Sequence, residues 1–287
     1  MLKAIKLVIA AALVAISSQV VLAQTPAKVG IQQIEGDLWR FKHNFHFSVF
    51  LVTPDGVIAT DPINAGAAKW LKNKIKEQFN LPIKYLILSH DHADHSSGGE
   101  VFQQDGAVVV AHEKAKVQII GERRPTAVPD ITFSDQMIIE LGGKTVELSY
   151  VGKNHSDNSI VMRFPAERAL FAVDFIPVKT VAFQRFPDSY IPEWIESLKR
   201  VEQMDFDILV PGHGKVGEKA DVKAFREYME FLREKVLNQL RLGKTLEATK
   251  AAIDLSYWRG WGQYEKWSPM NIEGMYRRLR LNRRGNQ

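Results

Sequence analysis

The chain has 287 residues, of which 45% are hydrophobic and 25% charged, with a formal net charge of +5 and no cysteine. That hydrophobic content suffices for a sizeable core, and the missing cysteine excludes disulfides and removes thiolate from the available metal ligands. The positive excess is modest and gathers late, at Arg277, Arg278, Arg280, Arg283 and Arg284, where it reads as a solvated helix end and tail, so nucleic acid is disfavoured as a partner.

The first residues form an export signal by pattern. Lys3 and Lys6 supply a positive start, Leu7 to Leu22 is almost wholly apolar, and Val21 and Ala23 are compact residues placed for cleavage before Gln24. Residues 1–23 are therefore expected to leave the mature protein, which goes to a bacterial periplasm without a stable membrane anchor. Residues 24–220 are expected to form the main domain, with 221–287 as a helical extension packed on it.

A strand meander is predicted from Ile31 to about Ile63. Phe45, Phe47, Val49 and Leu51 alternate, Pro54-Asp55-Gly56 turns, and Val57 to Thr60 ends at Asp61-Pro62. Ala65 to Phe79 has helical spacing, with Ala68, Leu71, Ile75 and Phe79 on one face. A buried strand from Ile83 to Leu88 follows. After Gly98-Gly99 come a short helix and a strand from Ala107 to Ala111. Further strands are expected at Met137–Leu141, Thr145–Val151, Ser159–Phe164 and Ala169–Val173, then a helix at Pro192–Gln203 and a short strand at Ile208–Val210. Beyond Lys219 the chain reads as helical, with a stripe of Phe225, Met229, Leu232, Val236 and Leu240, and breaks at Gly243 and Gly260-Trp261-Gly262. Two strand-rich halves, each closed by helices, predict an α/β four-layer sandwich of helix, sheet, sheet and helix.

The chemistry concentrates in Ser89-His90-Asp91-His92-Ala93-Asp94-His95. The chain leaves a strand still extended, so His90 and His92 point the same way, and the following turn aims Asp94 and His95 at a neighbouring point. Such a layout suits two metal ions side by side. Three later residues of ligand type also follow strands: His155, Asp174, and His213 in a Pro-Gly-His-Gly turn.

In this combination the chain resembles the metallo-β-lactamase fold superfamily, over roughly residues 30–220. The resemblance implies an αββα sandwich with two zinc ions at one edge, iron or manganese remaining open. His90, His92 and His155 would hold the first ion, Asp94, His95 and His213 the second, and Asp174 would bridge them. Asp61 would orient ligands from behind. The implied chemistry is a metal-bridged hydroxide attacking a small carbonyl substrate such as a β-lactam, lactone, ester or thioester, with Asp94 orienting the nucleophile and passing a proton.

The substrate is less defined. Asp174 stands where thiolate-bearing β-lactamases have cysteine, and so resembles glyoxalase II, lactonase and phosphodiesterase members. Lys179 lies five residues beyond Asp174, where some lactamases place a substrate-gripping lysine three residues on. His46 and Phe47, in a flap, and Arg185, in the loop after Asp174, are further candidate substrate contacts. The aromatic cluster Tyr257, Trp258, Trp261, Tyr264 and Trp267 reads as core or interface. Two alternatives accompany the carbonyl reading: a phosphodiesterase or nuclease on the same metals, and iron-dependent sulfur oxidation or an accessory role for a periplasmic oxidase.

Overall fold

The computed structural model describes residues 27–282. The export signal, the cleavage point at Gln24, Arg283 and Arg284 lie outside them. Among the described residues no helix is long and apolar enough to cross a membrane.

Two mixed sheets stack face to face between helices. The first opens with an antiparallel meander, β1 (Val29–Glu35), β2 (Leu38–His43), β3 (His46–Thr53) and β4 (Gly56–Thr60). Helix α1 (Ala65–Phe79) crosses to β5 (Ile83–Ile87), parallel to β4. One-turn helices α2 (Ala93–Ser96) and α3 (Glu100–Gln103) lead to β6 (Val108–His112), and α4 (Glu113–Gly121) to β7 (Ile131–Phe133), both strands continuing in parallel. The second sheet contains β8 (Gln136–Leu141), β9 (Lys144–Tyr150), β10 (Ile160–Phe164) and β11 (Ala169–Ala172), antiparallel in sequence order. After α5 (Ile191–Glu202), β12 (Ile208–Pro211) pairs parallel to β11, and the short β13 (Gly217–Glu218) closes that edge. The chain ends in α6 (Lys219–Arg241), α7 (Leu246–Ala252) and α8 (Tyr264–Asn282).

Period-two side-chain alternation sorts the strands between layers. On β3, Val49 and Leu51 face the second sheet and join Ile58, Ile87, Val110, Val146, Leu148, Met162 and Phe171 in the central core. Phe50 faces outward against α1 with Leu71 and Ile75. On the far side, Val161, Leu170 and Leu209 meet Trp194 and Leu198 of α5, Phe225 and Leu232 of α6 and Met275 of α8 in the third core. Each fully buried Leu, Ile or Phe contributes about 1.5–3 kcal/mol. Trp258 belongs to this third core and Trp261, Tyr264 and Trp267 pack against it, whereas Tyr257 is exposed.

Local signals set the boundaries. Asn64 caps α1 by accepting from the Ala67 N–H, and Asn80 ends it in a left-handed conformation at φ 53°. Glu218 and Asp221 cap α6 reciprocally, and Gly243 follows its end at φ 67°. Neither α4 nor β7 is announced by the sequence pattern. Only Ala115 and Ile119 of α4 are buried, while Val117 and Ile120 face solvent, so no clean apolar stripe exists.

The strands β4, β5, β11 and β12 all deliver their C-terminal ends to one edge of the sandwich. Backbone bonds knit that edge: Ile160 N–H donates to Ser89 O (2.9 Å), Ile63 N–H to His95 O (2.9 Å) and Phe47 N–H to Gly212 O (2.8 Å).

Candidate metal centre

Two groups of donor atoms lie at this edge, each with all its donors within 4.8 Å of one another: His90, His92, His155 and Asp174, and Asp94, His95, Asp174 and His213. That span contracts slightly round an ion holding each donor at about 2 Å. Asp174 belongs to both and presents one oxygen to each. Its Oδ2 faces His90 Nε2 (3.5 Å) and His155 Nε2 (3.9 Å), and its Oδ1 faces His95 Nε2 and His213 Nε2, both at 3.2 Å. Asp174 sits at φ 66° and Asp61 at φ 29°, conformations that cost a side-chain-bearing residue about 1–3 kcal/mol and aim its carboxylate away from the strand path.

In the first set the rings of His90 and His92 are 4.5 Å apart, and those of His90 and His155 4.7 Å. Their tautomers follow from their neighbours. Ser89 Oγ donates to Asp61 Oδ2 (2.7 Å), so it accepts from His90 Nδ1 (2.9 Å). Asn154 Oδ1 accepts from His155 Nδ1 (2.9 Å). Both Nε2 atoms are thus turned to the site, and both are buried without a hydrogen bond. Burial, reinforced by His90, holds His155 well below the ordinary histidine range, and the same two causes lower His92. Neutral imidazoles with fixed Nδ1 donors and inward Nε2 lone pairs are the form that binds metal.

The second set is ionic. His95 Nε2 lies 3.1 Å from His213 Nε2, an approach between two ring nitrogens that one proton or one metal ion held between them relieves. Burial works to lower His95, but the Asp174 charge overrides it and holds the ring well above its ordinary value. His213 is likewise pushed down by burial, yet bonds to Asp174 and Asp94 bring it to about 9. Burial works to raise Asp94, and His213 and His46 outweigh it, keeping the carboxyl below its usual range. His213 Nδ1 donates to the Phe45 carbonyl (2.9 Å), which leaves Nε2 for the site. The buried lone pairs, the nitrogen pair and the carboxylate shared between both sets all fit metal ions.

Asp61 is fully buried behind both sets. It accepts from the Ser89 N–H (2.8 Å) and hydroxyl, and its Oδ2 lies 3.5 Å from His95 Nδ1. The sequence reading missed Ser89, Asn154 and a clip at Asp91. Asp91 accepts from Asn158 Nδ2 (2.8 Å) and Arg124 (3.0 Å), and its N–H donates to Asn158 Oδ1 (3.0 Å), joining the His90–His92 loop to the His155 loop. The available signal was that Asp91 and Asn158 each lie within three residues of a candidate ligand.

The expected substrate contacts fare differently. His46 Nε2 is 3.4 Å from Asp94 Oδ2, inside the site. Phe47 lies under the Arg40 guanidinium, which is 3.5 Å from its ring centroid, and not over the donor sets. Lys179 is 70% exposed and turns to Asp221 of α6 (4.0 Å), while Arg185 pairs with Glu273 of α8 (3.2 Å). Both cations are drawn to acids of the C-terminal helices, and no contact takes either to the donor sets.

The Lactamase_B profile, described as the metallo-beta-lactamase superfamily, matches residues 45–213, more than half of the chain. The chain belongs to that superfamily. It is 26% identical over 220 residues to the 2,4-dinitroanisole O-demethylase subunit alpha of Nocardioides sp. (strain JS1661), covering 75% of this chain and 67% of that protein. It is 23% identical over 213 residues to the metallo-beta-lactamase type 2 of Bacillus sp. (strain 170), covering 70% and 82%. The solved metallo-beta-lactamase from Pontibacter korlensis shares the fold with a TM-score of 0.65 at 20% identity, over 71% of this chain and 99% of that one.

Proposed function

We propose that this metal-dependent hydrolase binds two zinc ions, His90, His92 and His155 holding one and Asp94, His95 and His213 the other, and hydrolyses a small electron-poor carbonyl substrate outside the cytoplasm. The observation that carries the reading is Asp174, with one carboxylate oxygen turned to each donor set. When bound, two such ions supply Lewis acidity and make a water acidic near neutral pH. The chain's own residues do the rest. Asp94 stays ionised and its side chain is 47% exposed, so its carboxylate orients the attacking water and carries a proton to the leaving group. His46 steadies that carboxylate from the flap. Asp61, through Ser89, fixes the His90 ring.

The test is elemental mass spectrometry of the purified protein joined to turnover of nitrocefin, a penicillin, an acyl-homoserine lactone, S-lactoylglutathione and a phosphodiester. Two zincs with carbonyl turnover support the reading; iron, or turnover of the phosphodiester alone, overturns it. The export component is tested by cell fractionation and N-terminal sequencing, with a mature start at Gln24 expected.

A second reading has one specific support, the similarity to the O-demethylase subunit. The same site would add water to an electron-poor aromatic carbon and expel an alkoxide as the alcohol. With Lys179 committed to Asp221, no lysine at that position grips a substrate carboxylate, which suits neutral substrates. Adding 2,4-dinitroanisole to the panel decides between the readings.

A further inference from the structure

Arg40 lies on β2 and is only 7% exposed, yet no carboxylate among the described residues pairs with it. A buried cation without a counter-charge is costly, so its retention asks for a function. Its Nη2 donates to Gly214 O (2.8 Å) and Pro211 O (3.3 Å), the two carbonyls that straddle His213. Its guanidinium stacks on Phe47 at 3.5 Å, and Phe47 in turn donates its N–H to Gly212 O at 2.8 Å. With the Phe45 carbonyl on His213 Nδ1, the hairpin of β2 and β3 therefore holds all four residues of the turn.

The turn starts at the paired end of β12, where Pro211 stands opposite Ala172, and then leaves the sheet. A Cβ on Gly212 would lie 2.6 Å from Val173 Cγ1 and 2.8 Å from His95 Cε1, and Gly214 stands at φ 86°. Gly212 is wedged between these neighbours, but Gly214 has open space where a Cβ would stand, so the His213 side of the turn is set by hydrogen bonds from the hairpin. The first donor set needs no such help, because Ser89 and Asn154 aim its rings from adjacent positions in the chain.

We propose that Arg40 is a positioning residue for the second donor set alone: by bracing the Pro211–Gly214 turn from β2, it brings His213 into register with Asp94, His95 and Asp174. The inference rests on the proposed two-ion centre. One guanidinium nitrogen serves both carbonyls while the flat group stacks on Phe47; a lysine ammonium could donate but could not stack.

The experiment compares wild type, Arg40→Met and Arg40→Lys. Each purified protein is stripped of metal, its thermal midpoint recorded, and Zn2+ and Co2+ affinities measured by chelator competition and by Co2+ absorption. Wild type is expected to take up two equivalents. Arg40→Met is expected to keep the first at wild-type affinity and spectrum and to bind the second about 10- to 100-fold more weakly. Arg40→Lys is expected to show a smaller loss in the same equivalent, and it carries the test if the methionine variant does not fold. Equal affinities in wild type and variants, or parallel weakening of both equivalents, overturns the role of Arg40 and leaves the centre standing. A wild type that binds fewer than two ions overturns the centre itself, and the inference with it.

Discussion

In the first donor set, two of the three imidazoles are aimed by chain neighbours, Ser89 and Asn154, and burial keeps His92 and His155 uncharged. In the second set, Asp94 and His213 are more exposed, neighbouring carboxylates raise His95 and His213, and His213 is oriented from 168 residues away by the Phe45 carbonyl. The first set is joined across the chain but its rings are aimed by chain neighbours, and two of them are neutral. The second joins the adjacent Asp94 and His95 to His213, which is aimed from afar and surrounded by charge. Two donor sets at one sheet edge can therefore differ in affinity, pH response and sensitivity to remote substitutions.

The largest expected effect breaks the division at its catalytic side. Asp94→Asn keeps the shape of the side chain but removes its charge. Turnover should fall about 10²- to 10⁴-fold while the first ion stays bound, as read by steady-state kinetics and metal content. Loss of both ions together would mean that the sets are one cooperative unit.

The second expectation concerns pH. Without metal, His213 holds its proton up to about 9, so below that pH an ion must displace it. Affinity at the second set should therefore fall by about tenfold per pH unit for each proton displaced as pH drops, with proton release visible calorimetrically. His92 and His155, lowered by burial, present no such proton at pH 7, so the first set should depend on pH less steeply there. The sign for stability follows by linkage. In the metal-free protein, the raised His213 contributes stability that is full below its unfolded value and is lost as pH rises through about 9. Depressed Asp94 and Asp174 contribute stability present above the ordinary carboxylate range and lost in acid. Thermal melts of the stripped protein across pH check both limbs.

A smaller change should sharpen the contrast from the other side. Ser89→Ala removes the link between Asp61 and His90. It should weaken the first ion about 10- to 100-fold and cost about 1–3 kcal/mol of stability, with a smaller effect on the second ion through Asp61, whose Oδ2 also faces His95. Asn64→Ala supplies the smallest effect and a control: losing the α1 cap should cost about 1 kcal/mol in denaturant melts, with no change at either set.

Much of the fold was legible because its signals are local. Helix α1 shows its apolar face at i, i+3 and i+4, and the strands of the central core alternate or run apolar between turn residues. The segment from 113 to 133 was not legible, because α4 buries only Ala115 and Ile119 and β7 is a three-residue edge strand. The donor residues could be read from ligand chemistry at strand ends. Lys179 and Arg185 could not be placed, since Asp221 and Glu273, which draw them off, sit far along the chain on helices whose packing the pattern does not specify.

The candidate donors and the strand ends that carry them are legible in the sequence, because metal-ligand chemistry and strand periodicity act over a few residues. The aim of those donors belongs to the tertiary structure. Asp174 turns one oxygen to each set, and Arg40 reaches Gly214 across 174 residues. These depend on two sheets stacking in one register, which is a property of the packed cores and not of any local stretch of chain.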